Sequence, residues 1–311
     1  MNPRPAAPPR RPARVRRLAA LLLAAPCAAA LALALPAGPA HAWFEESDVG
    51  PRGVSFGKAF TAIADDASAL NWNAAGLASL PRGEVDLSVG RPYNLTDLQS
   101  AYLAVAVPRS FGTLGVSWQH MGASDVAAEN TFSFGLGRRL VAGDHPVTVD
   151  VGAAFKVLRL SVSDYADPGT LENVSFGSAT AVAGDLGVLV HLPSHIQLGW
   201  AVQNIGSPNF DLVEGGGSTS LPARNRVGVS YRWNPESIIS MDIQERADGG
   251  TVVNLGGEVW FYNSLGIRVG ANDRNAGGGV SVKSKKWQFD LSFLTNQPLG
   301  ISYRAGLKVP F

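Results

Sequence analysis

Past residue 42 this chain has no cysteine, no apolar run long enough for a transmembrane helix and no surplus of basic charge. The only cysteine is Cys27, so everything from Trp43 onward is held by packing and backbone pairing, not disulfides. Without a helix-length apolar run, a membrane role would have to use strands. All 25 acidic residues but only 20 of the 26 basic ones lie beyond residue 42, which argues against a general nucleic-acid binder. There is no Cys-x-x-Cys, no metal-ligand spacing and no phosphate loop, the run Gly277-Gly278-Gly279 falling in a hairpin and not before a helix. We therefore expect neither metal nor cofactor. Gly53-Val54-Ser55-Phe56-Gly57 has nucleophile-elbow spacing but lacks the strand-to-helix context. His120, His145, His191 and His195 are scattered at strand ends and turns, so no catalytic residue is assigned and no enzyme is expected.

The first 42 residues have the layout of an export signal. Six arginines from Arg4 to Arg17 precede the Ala/Leu-rich run Leu18 to Leu35, and Ala40-His41-Ala42 supplies a small-x-small cleavage site. Residues 1–42 are expected to be removed, leaving a segment over 43–82 and a larger unit over 83–311.

From Glu84 to the end the apolar residues alternate with a period of two. Val85, Leu87 and Val89 begin the series, Phe132, Phe134 and Leu136 continue it, and Ile301, Tyr303, Leu307, Val309 and Phe311 close it. Fourteen such strands can be counted. Tight turns at 108–110, 193–195, 234–236, 262–264 and 284–286 alternate with longer joins at 121–130, 160–178 and 206–222. Short turns at one end and long loops at the other predict a transmembrane antiparallel β-barrel of the outer-membrane kind, both termini on the short-turn side.

A soluble sandwich gives the same alternation, yet fourteen strands in one closed layer leave a lumen too wide for apolar side chains to fill. The apolar face is therefore placed outward, in lipid. Trp233, Phe261, Trp287 and Phe311 fall on that face near the short turns, and Trp118, Phe132, Phe293 and Tyr303 nearer the other end, as two interfacial girdles would. The inward face is charged, with Glu84, Asp86, Asp150, Asp185, Asp242, Glu258 and Asp290 interleaved with Lys156, Arg224, Arg226, Arg232, Arg268, Lys283, Arg304 and Lys308. Turn positions predict that Glu258 faces Arg268 and that Asp290 faces Arg304, bracing the wall.

Before the first strand stands ADDASALNWNAAGL, Ala64 to Leu77, a short helix-turn element in an otherwise all-β chain. Asp65 or Asp66 can cap a helix, and Phe56, Phe60, Leu70, Trp72 and Leu77 recur at helix-like intervals. The segment is expected to enter the barrel from the short-turn end and to plug it as a small helical hatch.

The stretch GVSFGKAFTAIADDASALNWNAAGLASL resembles the N-terminal signature of the PorV/PorQ group within the FadL-like outer-membrane proteins, and AVQNIG, LPARNRVGVSYRW, LGGEVWFYNSLGIRVG and the terminal Phe311 follow in the family's order. The resemblance runs from about Gly53 to the end. It implies a fourteen-stranded barrel with a hatch whose motif here comprises Asp65, Asp66, Asn71, Trp72, Asn73, Ala74, Ala75 and Gly76. The family's Asn-Pro-Ala becomes Asn73-Ala74-Ala75, losing the proline that would fix φ. FadL-like members pass hydrophobic molecules across the outer membrane of Gram-negative bacteria, and PorV-like members serve type IX protein secretion. A plugged conduit for small hydrophobic molecules is thus the first expectation, and an accessory or shuttle protein for secretion or surface cargo the second. Expected partners are outer-membrane lipid, small hydrophobic molecules or secretion-system proteins, and the barrel-insertion machinery. The final strand, with Tyr303, Val309 and Phe311, resembles the signal that this machinery reads.

Overall fold

In a computed structural model, residues 44, 48–124, 126–141, 146–166, 173–174, 177–210, 219–245, 250–297 and 299–311 are described. The expected signal over 1–42, Trp43 and His145 lie outside them. Residues Glu84–Arg91 (β1), Leu98–Arg109 (β2), Gly112–Ala123 (β3), Ala127–Val141 (β4), Thr148–Val162 (β5), Gly177–His191 (β6) and Ile196–Ile205 (β7) form the first half of a closed sheet. Arg224–Asn234 (β8), Ser237–Glu245 (β9), Thr251–Phe261 (β10), Leu265–Ala271 (β11), Ala276–Lys283 (β12), Gln288–Asn296 (β13) and Gly300–Pro310 (β14) complete it. Each strand pairs antiparallel with its sequence neighbours, and β1 meets β14 to close the barrel, with Glu84 opposite Pro310 and Arg91 opposite Tyr303. These are the fourteen strands expected from the alternation.

Closure explains the pattern of burial. Leu87, Val116, Phe134, Leu255 and Val269 are exposed on the outer wall although they are the most apolar residues of their strands, while Asp86, Asp242, Glu258 and Arg268 are buried. Such an inverted protein is stable only with its outer wall in lipid. The expected girdle residues Trp233, Phe261, Trp287 and Phe311, and Phe132, Phe293 and Tyr303, all lie on that exposed face.

Two expectations are corrected. Residues 121–130 are not a long loop: β3 runs to Ala123, β4 starts at Ala127, and Met121 pairs with Glu129. The small and polar residues that read as loop are the ends of two long strands. Asp290 does not face Arg304, because Asn296 pairs with Gly300 across a three-residue loop, which puts Asp290 opposite Gly306 and Arg304 opposite Ser292. Centring that loop one residue early moves every partner by two.

The rim is uneven. Strands β4, β5 and β6 have 15 residues each and β11 has 7, against the roughly 9–11 needed to cross a bilayer. At the long-loop end the outward face of the tall strands turns from Phe132 and Val157 to the cross-strand row Asn130, Arg159 and Thr180, so this part of the wall rises out of the apolar band.

At the opposite end, the β10–β11 turn holds Tyr262 at φ 51° and Asn263 at φ 49°. Tyr262 is 98% exposed, so nothing offsets its left-handed backbone. Tyr262→Gly is expected to stabilise the hairpin by about 0.5–1 kcal/mol; a lower urea midpoint for the refolded variant would contradict this.

Candidate functional site

The lumen is occupied by residues 48–80. They comprise helix α1 (Pro51–Ser55), helix α2 (Ala69–Trp72) and a 3₁₀ turn over Ala74–Ser79, joined by tight bends. The spacing of Phe56, Phe60, Leu70, Trp72 and Leu77 therefore does not mark one helix: Phe56 ends α1, Phe60 lies in a bend, Leu70 and Trp72 share α2, Leu77 is in the 3₁₀ turn, and all five are buried. Asp66, not Asp65, organises the start of α2, its Oδ1 accepting from the Ser68 backbone N–H at 3.1 Å. Phe60 meets Trp72 edge-on at 5.6 Å, and the Trp72 indole donates to the Val49 carbonyl at 3.1 Å.

A segment this bulky fits because the wall it touches is built of glycine. An added Cβ at Gly199 would reach the Thr61 and Ala62 backbone, at Gly256 the Phe56 carbonyl, at Gly270 the Phe56–Gly57 peptide, and at Gly152 the Ala74–Ala75 peptide. Gly115, Gly135 and Gly137 receive Leu70 and Leu77, Gly187 receives Asn73, Gly279 receives Ser55, and Gly306 receives Pro51. Glycine permits backbone-to-backbone approach, and it does so around the barrel from β3 to β8 and again on β10, β11, β12 and β14.

Asn73 fixes the plug from three sides. Its Nδ2 donates to the Thr61 carbonyl at 2.9 Å and to Val188 of β6 at 3.2 Å, and its Oδ1 caps the 3₁₀ turn by accepting from the Ala75 N–H at 3.2 Å. Ala74 and Ala75 are buried against Gly152, and Gly76 lies against the Ala64 carbonyl. Asn71 Oδ1 accepts from the Tyr102 hydroxyl at 2.9 Å and the Ser117 hydroxyl at 3.0 Å. Ser55, the nucleophile candidate, is fully buried and donates to the Arg52 carbonyl at 2.9 Å.

Charge ties plug to wall. Arg52 makes two 3.1 Å bonds to the Glu258 carboxylate of β10 and also pairs with Asp65 and Asp66. Glu258 accepts in turn from Arg268, which reaches Asp290 at 3.0 Å. Lys308 of β14 pairs with Asp66. Glu258, Arg268 and Asp290 thus come together as part of one cluster, while Arg304 stands outside it. Arg52 was the member that periodicity could not place, since it precedes every strand. A second tie joins Asp48 to Lys58 and to Arg226, whose guanidinium lies 4.9 Å over Trp72.

Burial by itself would raise the Asp66 carboxyl, but Lys308 and Arg52 outweigh it and hold Asp66 at about 2. A carboxyl depressed in the folded state contributes stability that is present above its unfolded value near 3.9 and is lost as pH falls toward 2. The plug is expected to resist protease equally from pH 7 down to 4 and to loosen between pH 4 and 2. Loosening at pH 5–6 in a limited-proteolysis series would count against this anchor.

The route of the segment differs from expectation. Leu80 leaves at the short-turn end, but Phe44 lies at the long-loop end, stacked on Phe210 at 5.1 Å and 20°. There the tall strands supply inward Leu158, Leu160 and Ala183, and Leu221 adds to them, forming an apolar nest separate from the larger apolar cluster of the plug around Phe60 and Trp72. Beside it is a cavity of about 20 Å³, room for one water, bordered by Asn71, Glu129, Thr131, Lys156, Gln203 and Asn204. This nest has no period-two signature, because Phe44, Phe210 and Leu221 come from outside the barrel strands. At the opposite mouth a vestibule of about 430 Å³ is lined by Asp65, Arg232, Trp260 and Lys283 among others.

A closed fourteen-stranded antiparallel barrel with apolar outer wall and filled lumen defines the class: a transmembrane antiparallel β-barrel. Among solved structures it is similar to CymD, a monoaromatic hydrocarbon channel, with TM-score 0.60 and 12% identity over 85% of this chain and 97% of that one. It is similar also to the P. putida toluene transporter TodX (0.55, 11%, 78% and 94%) and to a Pseudomonas aeruginosa FadL homologue (0.54, 11%, 85% and 98%). At these identities the likeness is one of fold. No family model and no curated protein sequence matches the chain.

Proposed function

We propose that this protein is a plugged conduit that takes small hydrophobic molecules across the outer membrane of a Gram-negative bacterium, exported by a signal over residues 1–42 that is then removed and inserted by the barrel-assembly machinery through its last strand. The observation that carries the reading is the apolar nest of Leu158, Leu160, Phe210 and Leu221 around Phe44, raised on the tall strands above the lipid-facing band. The nest gives an apolar solute a place to leave water at the long-loop mouth. Barrels similar to it in fold include a monoaromatic hydrocarbon channel and a toluene transporter, which supports the reading.

The test is initial uptake of dilute radiolabelled toluene and benzyl alcohol by cells of a Gram-negative strain lacking its own transporters. Expression of this chain should raise the rate for at least one of them, and Phe210→Ala should remove most of the gain. Equal rates with and without the protein would defeat the proposal. The PorV-like reading remains as the alternative outcome: native mass spectrometry of gently extracted protein would then show a stoichiometric protein partner and an empty barrel.

A further inference from the structure

The outer nest is not purely apolar, and its polar side has a specific state of charge. The ring of Phe44 occupies the apolar half, stacked on Phe210 in the cluster that includes Leu158. Facing it across the small cavity, Lys156 is already satisfied by Asp185 at 2.8 Å and by Asn204 Oδ1 at 2.9 Å, and Glu129 adds a carboxylate to the same wall. Among the described residues that border the cavity the one cation is already committed, so an incoming anion would find no free counter-charge there. Two neutral oxygens behave differently. Gln203 uses its Nε2 on the Asn71 carbonyl, while its Oε1 and the Thr131 hydroxyl have no hydrogen bond among the described residues and both border the cavity.

We infer that this nest takes small uncharged aromatic molecules bearing one hydrogen-bonding group, the class of phenols and benzylic alcohols, in preference to plain hydrocarbons and to aromatic carboxylates. The inference deepens the conduit reading and rests on it. A benzyl group the size of the Phe44 side chain fits the apolar half once Phe44 withdraws. Its hydroxyl then donates to Gln203 Oε1 and accepts from Thr131. A hydrocarbon in the same place covers both oxygens with nothing to bond them, and leaving buried polar groups unpaired is what lets a site reject the analogue that lacks the partner. A carboxylate loses water and finds Lys156 already paired with Asp185.

Isothermal titration of the refolded full chain in micelles, with benzyl alcohol, toluene and benzoate, tests this after subtraction of each ligand's partition into protein-free micelles. Benzyl alcohol should bind roughly 3- to 10-fold more tightly than toluene, the ratio for one neutral hydrogen bond, and benzoate most weakly. The double variant Thr131→Val, Gln203→Leu, checked for heat-modifiable migration, should reverse the order of the first two. Toluene binding as tightly as benzyl alcohol in the unaltered protein overturns the inference and leaves the conduit standing. Binding of none of the three, together with no uptake, ends both.

Discussion

Gly152→Val is expected to leave a barrel that cannot close over its plug. The position is on β5, and the Cβ would enter the Ala74–Ala75 peptide, a backbone contact that no rotamer change relieves. Overpacking a core usually costs about 1–3 kcal/mol; here the obstacle is main chain held by Asn73 to β6 and by Gly76 to the Ala64 carbonyl, so the cost should lie at or beyond the upper end. Two outcomes agree with this: little folded, heat-modifiable protein in the outer membrane, or a folded barrel with its plug expelled. Expulsion is recognisable, because an emptied lumen of fourteen strands conducts ions freely in planar bilayers while the intact protein should not. Gly177→Val is the control, since an added Cβ there meets nothing; its backbone φ of 66° makes a modest loss of stability expected but no change in the plug. Wild-type folding and conductance in Gly152→Val would show that the plug does not lie against the wall as described.

The same glycines explain what could and could not be read in advance. The strands were legible because lipid on one side and polar lumen on the other impose strict alternation, and fourteen runs such as Val85-Leu87-Val89 survive inspection without a partner. Glu258 opposite Arg268 was legible for a related reason: a tight turn over 262–264 fixes the register. Asp290 opposite Arg304 failed because loop length, not alternation, sets register, and 297–299 offered no signal strong enough to centre the turn. The plug was legible as a compact buried segment from ADDASALNWNAAG, but its path was not. Its residues are held by wall glycines that are each near and far in sequence, Gly115 to Gly306, and a glycine in a strand carries no mark of what approaches it. The outer nest escaped for the simplest reason. Phe44 and Phe210 lie outside the periodic segments, so nothing in the spacing joins them.

Glu258→Gln should be the most destabilising single change of a charged residue. The Glu258 carboxylate is nearly inaccessible and accepts from Arg52 of the plug and Arg268 of β11, and Arg268 goes on to Asp290. Removing its charge leaves two buried guanidinium groups with less compensation than they have in water. Breaking a buried pair in this way costs about 3–5 kcal/mol, far more than the pair contributes relative to apolar packing, because the partner's desolvation is no longer offset. The variant should unfold at distinctly lower urea in refolding experiments followed by heat-modifiable migration, and its residues 48–80 should be cut faster by protease than those of the intact protein. The double change Glu258→Gln, Arg268→Met removes one of the stranded cations and should recover part of the loss. A partial recovery assigns the penalty to uncompensated charge; no recovery, with plug and barrel still equally resistant, would mean that Arg52 is held by Asp65 and Asp66 alone and that the charged ties between plug and wall run through Lys308 and the Asp48–Arg226 pair.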